Sequence, residues 1–75
     1  MNTILNTKPL HYPEIRGKIY EHGFTYKYVA SELGISAASF GKKMNAQVDF
    51  TAKEIRIIKQ LLNLSNDETV RFFML

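Results

Sequence analysis

Seventy-five residues make one small domain, near the lower limit for a self-sufficient core. The composition is globular, 45% hydrophobic and 23% charged, and the absence of cysteine excludes a disulfide framework or a thiolate metal site. No apolar run approaches the ~20 residues of a membrane span and MNTILNTKPLH lacks a signal-peptide layout, so a cytoplasmic protein is expected, and the net charge of +3 leans towards an acidic partner.

Residues 1–11 show no clear period, and Asn2, Asn6 and Pro9 argue against regular structure. They are expected to form a flexible N-terminal arm, with a single domain over 12–75. Pro13 suits the first turn of a helix, where its missing N–H costs nothing. Ile15 and Ile19 share a face of that helix, Gly17 weakens it, and Gly23 is a natural stop. Thr25 can cap a second helix running to Leu33, with Val29, Ala30 and Leu33 inward. Gly34 supplies the positive φ that ends it. Ser36 caps a third helix to about Met44, with Phe40 and Met44 inward.

A fourth helix opens at FTAKEI. Thr51 and Glu54 are spaced as a capping box, and Phe50 and Ile55 as a hydrophobic staple. Its buried face is predicted as Ile55, Ile58, Leu61 and Leu62. Ser65 and Glu68 form a second capping box, opening a short fifth helix whose Asp67 and Glu68 complement the helix dipole. No segment alternates with period two, so no sheet is predicted. The fold class is therefore all-α, five short helices.

The third helix raises a question of its own. SAASFGKKM carries little apolar surface and two adjacent lysines. The turn before it is short, and Ala30 and Gly34 supply the small residue and the glycine that a tight crossing of two helices needs. In FTYKYVASELGISAASF the chain resembles the Cro/repressor class (XRE-like) of helix-turn-helix proteins found in phages and related bacterial regulators. The residues that carry the likeness are Phe24-Thr25-Tyr26, Val29-Ala30 and Leu33-Gly34-Ile35-Ser36, and it extends over about residues 13–73. MNAQVDFT looks like that family's exit into the fourth helix. The resemblance implies a lambda-repressor-like, Cro-type fold with its helix-turn-helix at about 25–44.

It also implies roles for particular residues. The family's base-reading positions fall on Ser36, Ala37, Ala38, Gly41 and Lys42. Lys42 could donate to guanine O6 or N7, Ser36 to a base or a phosphate, and the alanines can touch only thymine methyls. Where the family often has Gln, Asn, Arg or Ser, this chain has small residues, so direct readout looks poor. Phosphate contacts are expected from Thr25, Tyr26, Lys27, Ser39, Lys43, Asn45 and Gln47, helped by backbone N–H groups at the starts of the second and third helices. No acidic residue lies between Leu33 and Val48.

Each reading has a plain rival. Lys42 and Lys43 can be a solvated face, and Ala37 and Ala38 can be there as helix formers. Tyr20, Tyr26 and Tyr28 are expected as partly buried packing residues rather than base-stacking platforms. His11 and His22 lack a third ligand, so neither a metal nor a cofactor is expected. No serine has a nucleophile's partners, so no enzyme is expected. In RFFML, Val70 and Phe73 are expected to close the core. Phe72, Met74 and Leu75 exceed what one short helix buries, and Ile57 adds to the excess, so these four are read as a protein interface.

Two functions follow as expectations. One is a Cro-like repressor binding double-stranded operator DNA as a homodimer. The alternative is an antirepressor of the same fold, forming a heteromer with a phage repressor protein by covering its recognition helix. Small residues on an exposed helix suit that second contact.

Overall fold

The computed structural model describes residues 11–75. All of its regular structure is helical: α1 Pro13–Glu21, α2 Tyr26–Leu33, α3 Ala37–Met44, α4 Ala52–Leu61 and α5 Asn66–Phe72. No strand occurs among the described residues. The expected N-terminal arm, His11 apart, lies outside them.

The helices start where side-chain caps permit. The hydroxyls of Thr25, Ser36, Thr51 and Ser65 accept the N–H of Tyr28, Ser39, Glu54 and Glu68 respectively. The last two are complete capping boxes, with the Glu side chains returning to the N-cap amides. Each cap satisfies donors that the first helical turn leaves orphaned and is worth about 1 kcal/mol. The Ser65 amide is the main cause holding the Glu68 carboxyl below the usual carboxylate range. At α1 no side chain caps; Tyr12 turns into the left-handed region and Pro13 occupies the first turn.

All five helices end the same way. A residue with positive φ follows each one: Gly23, Gly34, Ala46, Asn63 and Met74. The next amide then reaches back five residues, as in Ile35 N–H to the Ala30 carbonyl at 3.0 Å and Gln47 N–H to that of Lys42 at 2.9 Å. This is the Schellman closure, which satisfies carbonyls that the helix cannot. At Ala46 the Cβ makes the left-handed conformation costly. Ala46→Gly is therefore expected to stabilise the domain by roughly 1 kcal/mol, read as a raised urea midpoint with an unchanged m-value; a midpoint that falls would refute this.

The core draws on every helix: Ile15 and Ile19, Val29 and Ala30, Phe40 and Met44, Ile58, and Phe72, with Leu62, Leu64 and Phe73 from the helix ends. A chain of aromatic contacts runs through it. Tyr26 meets Phe40 edge-on at 5.1 Å, Phe40 meets Phe50 at 6.1 Å, and Phe50 meets Phe73 and Tyr12 at 5.4 Å each. These rings tie the entries of α1 and α4 and the exit of α5 to the pair α2–α3.

Several expectations need correction. On α4, Ile58 and Leu62 are buried as predicted, but Ile55 and Leu61 are half-buried, and Glu54 is buried beside Ile58. Tyr20, expected to pack, is 88% exposed. In the tail the roles of two residues are exchanged. Phe72, expected at an interface, is only 8% exposed, whereas Val70, expected in the core, is 49% exposed. The short α5 turns Thr69, Phe72 and Phe73 inward, at i, i+3 and i+4. Ile57 is half-buried, while Met74 and Leu75 stand out at 70% and 69% exposure.

Candidate nucleic-acid interface

Two residues seat α3. Phe40 and Met44, one turn apart, are completely buried. Most of the rest of the segment faces outward: Ser36, Ala37, Ala38, Ser39, Lys42 and Asn45 are exposed, Gly41 is half-buried, and Lys43 alone turns inward. The reason is local, because an eight-residue helix with one apolar turn has only a narrow face to bury. α2 precedes it through the three residues Gly34, Ile35 and Ser36, and the α2–α3 pairing is the most extensive between helices. Val29 and Ala30 are buried beneath that pairing, with Leu33 and Ile35 packed against the core.

The expected base-reading residues thus share one exposed surface, but their chemistry is thin. Ser36 Oγ accepts the Ser39 N–H at 3.0 Å and donates to Ser39 Oγ, also at 3.0 Å. Its donor is spent inside the helix, which leaves the Ser39 hydroxyl proton for an outside acceptor. Ala37 and Ala38 offer methyl groups alone. Lys42 is the one exposed cation on α3.

The expected phosphate-contacting residues divide. Thr25, Lys27, Asn45 and Gln47 are exposed. Thr25 accepts the Tyr28 N–H at 3.0 Å and keeps its hydroxyl proton to donate. Lys43 is placed otherwise than expected, and Tyr26 takes the packing role expected for it rather than an outward phosphate-contacting one. The Tyr26 hydroxyl is buried without a hydrogen-bond partner among the described residues, and its ring meets Phe40 edge-on. Burial pushes that phenol's pKa up, partly offset by the Arg16 guanidinium, whose Cζ lies 5.8 Å from the ring centroid. Lys43 turns inward, its Nζ 2.8 Å from Glu54 Oε1 and 3.3 Å from the Asp49 carbonyl oxygen. Both side chains of this pair are largely buried, at 12% and 11% exposure.

Glu54 thereby does two things at once. Its Oε1 accepts the Thr51 amide at 2.9 Å as the capping box requires, and it also accepts Lys43. Burial by itself raises this carboxyl's pKa; the bonds from Lys43 and Thr51, with the Lys43 charge, outweigh burial and hold it below the usual range. The pair fastens the last turn of α3 to the first turn of α4. The sequence carries a signal for the capping role of Glu54, but none for a lysine eleven positions earlier. Arg16 was also missed; its Nε is buried beside Tyr26 without a partner among the described residues.

Among the described residues no three His, Cys, Asp or Glu side chains converge as metal ligands. His22 is engaged locally, its Nδ1 2.8 Å from the Lys18 carbonyl oxygen. Beyond α3, a recess of about 200 Å³ lies between Tyr12, Asp49, Phe50, Ile55, Phe73 and Leu75. No described helix is long and apolar enough to cross a membrane. Comparison with protein-family models, with curated proteins and with solved structures finds no match to this chain.

Proposed function

We propose that this chain is a Cro-type helix-turn-helix regulator, with α2 and α3 as the helix-turn-helix and α3 as the element that enters the major groove of operator DNA. The observation that carries the reading is the outward surface of α3. It is held by Phe40, Met44 and the Lys43–Glu54 pair, exposes every other residue but Gly41, and has no acidic group between Gly34 and Gln47. A helix so mounted fits a groove about one helix wide. Backbone N–H groups at the start of α2, with Thr25 and Lys27, are suited to the flanking phosphate.

With Lys43 engaged internally, Lys27 and Lys42 are the cations left on this surface. Two neutralised phosphates per subunit correspond to a log–log salt slope of about −2. With so little direct base chemistry, sequence preference would rest on Lys42 and on DNA shape. A second reading has its own support: Ala37, Ala38 and Gly41 make a smooth patch that suits close approach of another helix, as an antirepressor covering a repressor protein's recognition helix would need.

Selection from random-sequence duplexes followed by fluorescence anisotropy at several salt concentrations tests the proposal. Saturable binding with enrichment of one sequence is expected. Ala38→Glu should abolish it, because a carboxylate would face the phosphates. Lys42→Ala should weaken binding and lower the slope by about 1 per subunit. Absence of salt-dependent binding at low ionic strength would sink the DNA reading and leave the protein-partner one.

A further inference from the structure

The recess of about 200 Å³ has no part in the regulator reading. Its wall is Tyr12, Asp49, Phe50, Ile55, Phe73 and Leu75. The rings of Tyr12, Phe50 and Phe73 touch one another, with centroids 5.4, 5.4 and 5.8 Å apart. Leu75 is largely exposed, so apolar surface here is left open to water. No side chain of the wall carries a nitrogen, and one carries a carboxylate, Asp49. That residue is exposed, and no cation pairs with it among the described residues. A wall of this chemistry suits an apolar chain that brings a positive charge; an anion would meet only Asp49.

Such a chain is tethered at the rim. Residues 1–10, MNTILNTKPL, lie outside the described part and join it at His11, next to Tyr12. They carry Ile4, Leu5 and Leu10, one lysine at Lys8, and no acidic residue. Tyr12 takes φ 52° and ψ 50°, a left-handed turn that costs a residue with a Cβ. That turn breaks the line of α1, so the chain before it does not extend the helix. Lys8 stands four positions before Tyr12, a reach of up to about 13–14 Å, and Leu5 seven positions, up to about 23–25 Å. Asp49 lines the same recess as Tyr12, which brings it within the span of Lys8.

We propose that residues 1–10 fold back onto their own domain, with Ile4 and Leu5 covering the Tyr12–Phe50–Phe73 rings and Lys8 pairing with Asp49. The contact extends the apolar core of a domain near the lower size limit. It does not rest on the regulator reading. The tether makes the contact intramolecular, at an effective concentration of about millimolar. A contact too weak to hold a separate peptide is therefore populated within the chain. The surplus of apolar residues at the end of α5 then has its cover in the same molecule.

Methyl NMR of the full chain without DNA tests this. The Ile4 and Leu5 methyls should resonate upfield of their random-coil positions and show NOEs to ring protons of Tyr12, Phe50 and Phe73. In a mixture of labelled and unlabelled protein, isotope-filtered spectra should show no such NOEs between chains. Ile4→Ser with Leu5→Ser should lower the melting temperature by roughly 4–8 °C while the far-UV circular dichroism stays close to native. Lys8→Asp and Asp49→Lys should each weaken the NOEs, and the two together should restore them. Random-coil methyls without ring NOEs would overturn the inference. So would NOEs found only between chains, NOEs that appear only when duplex DNA is added, or a melting temperature indifferent to the Ile4 and Leu5 changes. Charge reversals that fail to compensate would overturn the Lys8–Asp49 pairing. No arm of the test depends on the anisotropy titration, so the two readings stand or fall separately.

Discussion

Phe40→Ala is expected to bring the domain to the edge of unfolding. Phe40 has no exposed surface and touches Tyr26 and Phe50 edge-on. It is also one of only two buried residues of α3. Truncating a buried phenylalanine removes its transfer free energy and leaves a cavity, at about 3–5 kcal/mol. A 75-residue domain at roughly 0.05–0.15 kcal/mol per residue has about 4–11 kcal/mol in total. The melting temperature should therefore fall by roughly 15–30 °C, if a cooperative melt survives. Phe40→Leu keeps most of the volume and should cost under about 1.5 kcal/mol. Besides Phe40, α3 is held by Met44 and by the Lys43–Glu54 pair. A Phe40→Ala protein that melted within a few degrees of the native one would show that α3 is not seated as described.

The second large effect concerns the Lys43–Glu54 pair. Lys43→Met should destabilise the domain by about 3 kcal/mol, because it strands a buried carboxylate with only the Thr51 amide as partner. Glu54→Gln should cost less, about 1–2 kcal/mol, since the amide oxygen can still accept from Thr51 and Lys43 keeps the Asp49 carbonyl. Removing both charges together should recover part of the loss, so a double-mutant cycle should return a coupling of about 1–3 kcal/mol. A coupling near zero would mean that the pair is screened and contributes little.

Acid sharpens this test. In the native protein the Glu54 carboxyl is held below its ordinary value, so folding favours its ionised form. The resulting stability is fully present above the unfolded value of about 4.3 and is lost as pH falls through the lower folded value. In Lys43→Met the largest opposing support is gone and burial pushes the carboxyl upward. Protonation then relieves the variant instead of harming it. The stability gap between the two proteins should be widest near neutral pH and narrow steadily between about pH 5 and 3. Urea titrations across that range would show it. A gap that stays constant would place the variant's damage in packing rather than charge.

Lys43 also shows why a basic residue on an outward-facing helix cannot be counted from sequence as a phosphate contact. Lys42 and Lys43 are adjacent, and about 100° of helical rotation separates them. That rotation is enough to put Lys42 in solvent and Lys43 against α4. The electrostatic reach of the α3 surface is accordingly smaller than two lysines suggest. On the proposed reading, this is the physical ground for expecting weak DNA binding by one subunit.

What this sequence determined by itself is the succession of helices. Thr25, Ser36, Thr51 and Ser65 are caps whatever surrounds them, because each satisfies an amide three residues on. Gly23 and Gly34 end helices for an equally local reason, the freedom of glycine at positive φ. The outward placement of Ser36, Ala37, Ala38 and Lys42 was legible too, since only Phe40 and Met44 in that segment are large and apolar. Tertiary structure decided the rest. Ala46 and Met74 enter the left-handed region without a sequence signal, because the closing contacts of the chain demand it. In α5 the stripes containing Val70 and Phe73, or Thr69, Phe72 and Phe73, satisfy helical periodicity equally well, and seven residues are too few to choose between them. The docking against Phe50 and Tyr12 makes the choice. Lys43 looks like a surface residue in the chain and becomes an interior partner only when Glu54 arrives from elsewhere in it, while Tyr26, readable as a packing residue or as a phosphate contact, is settled as the former by Phe40. Short-range hydrogen bonds are written in neighbouring letters; burial and ion pairing depend on which distant groups meet, and that is settled only when the helices pack.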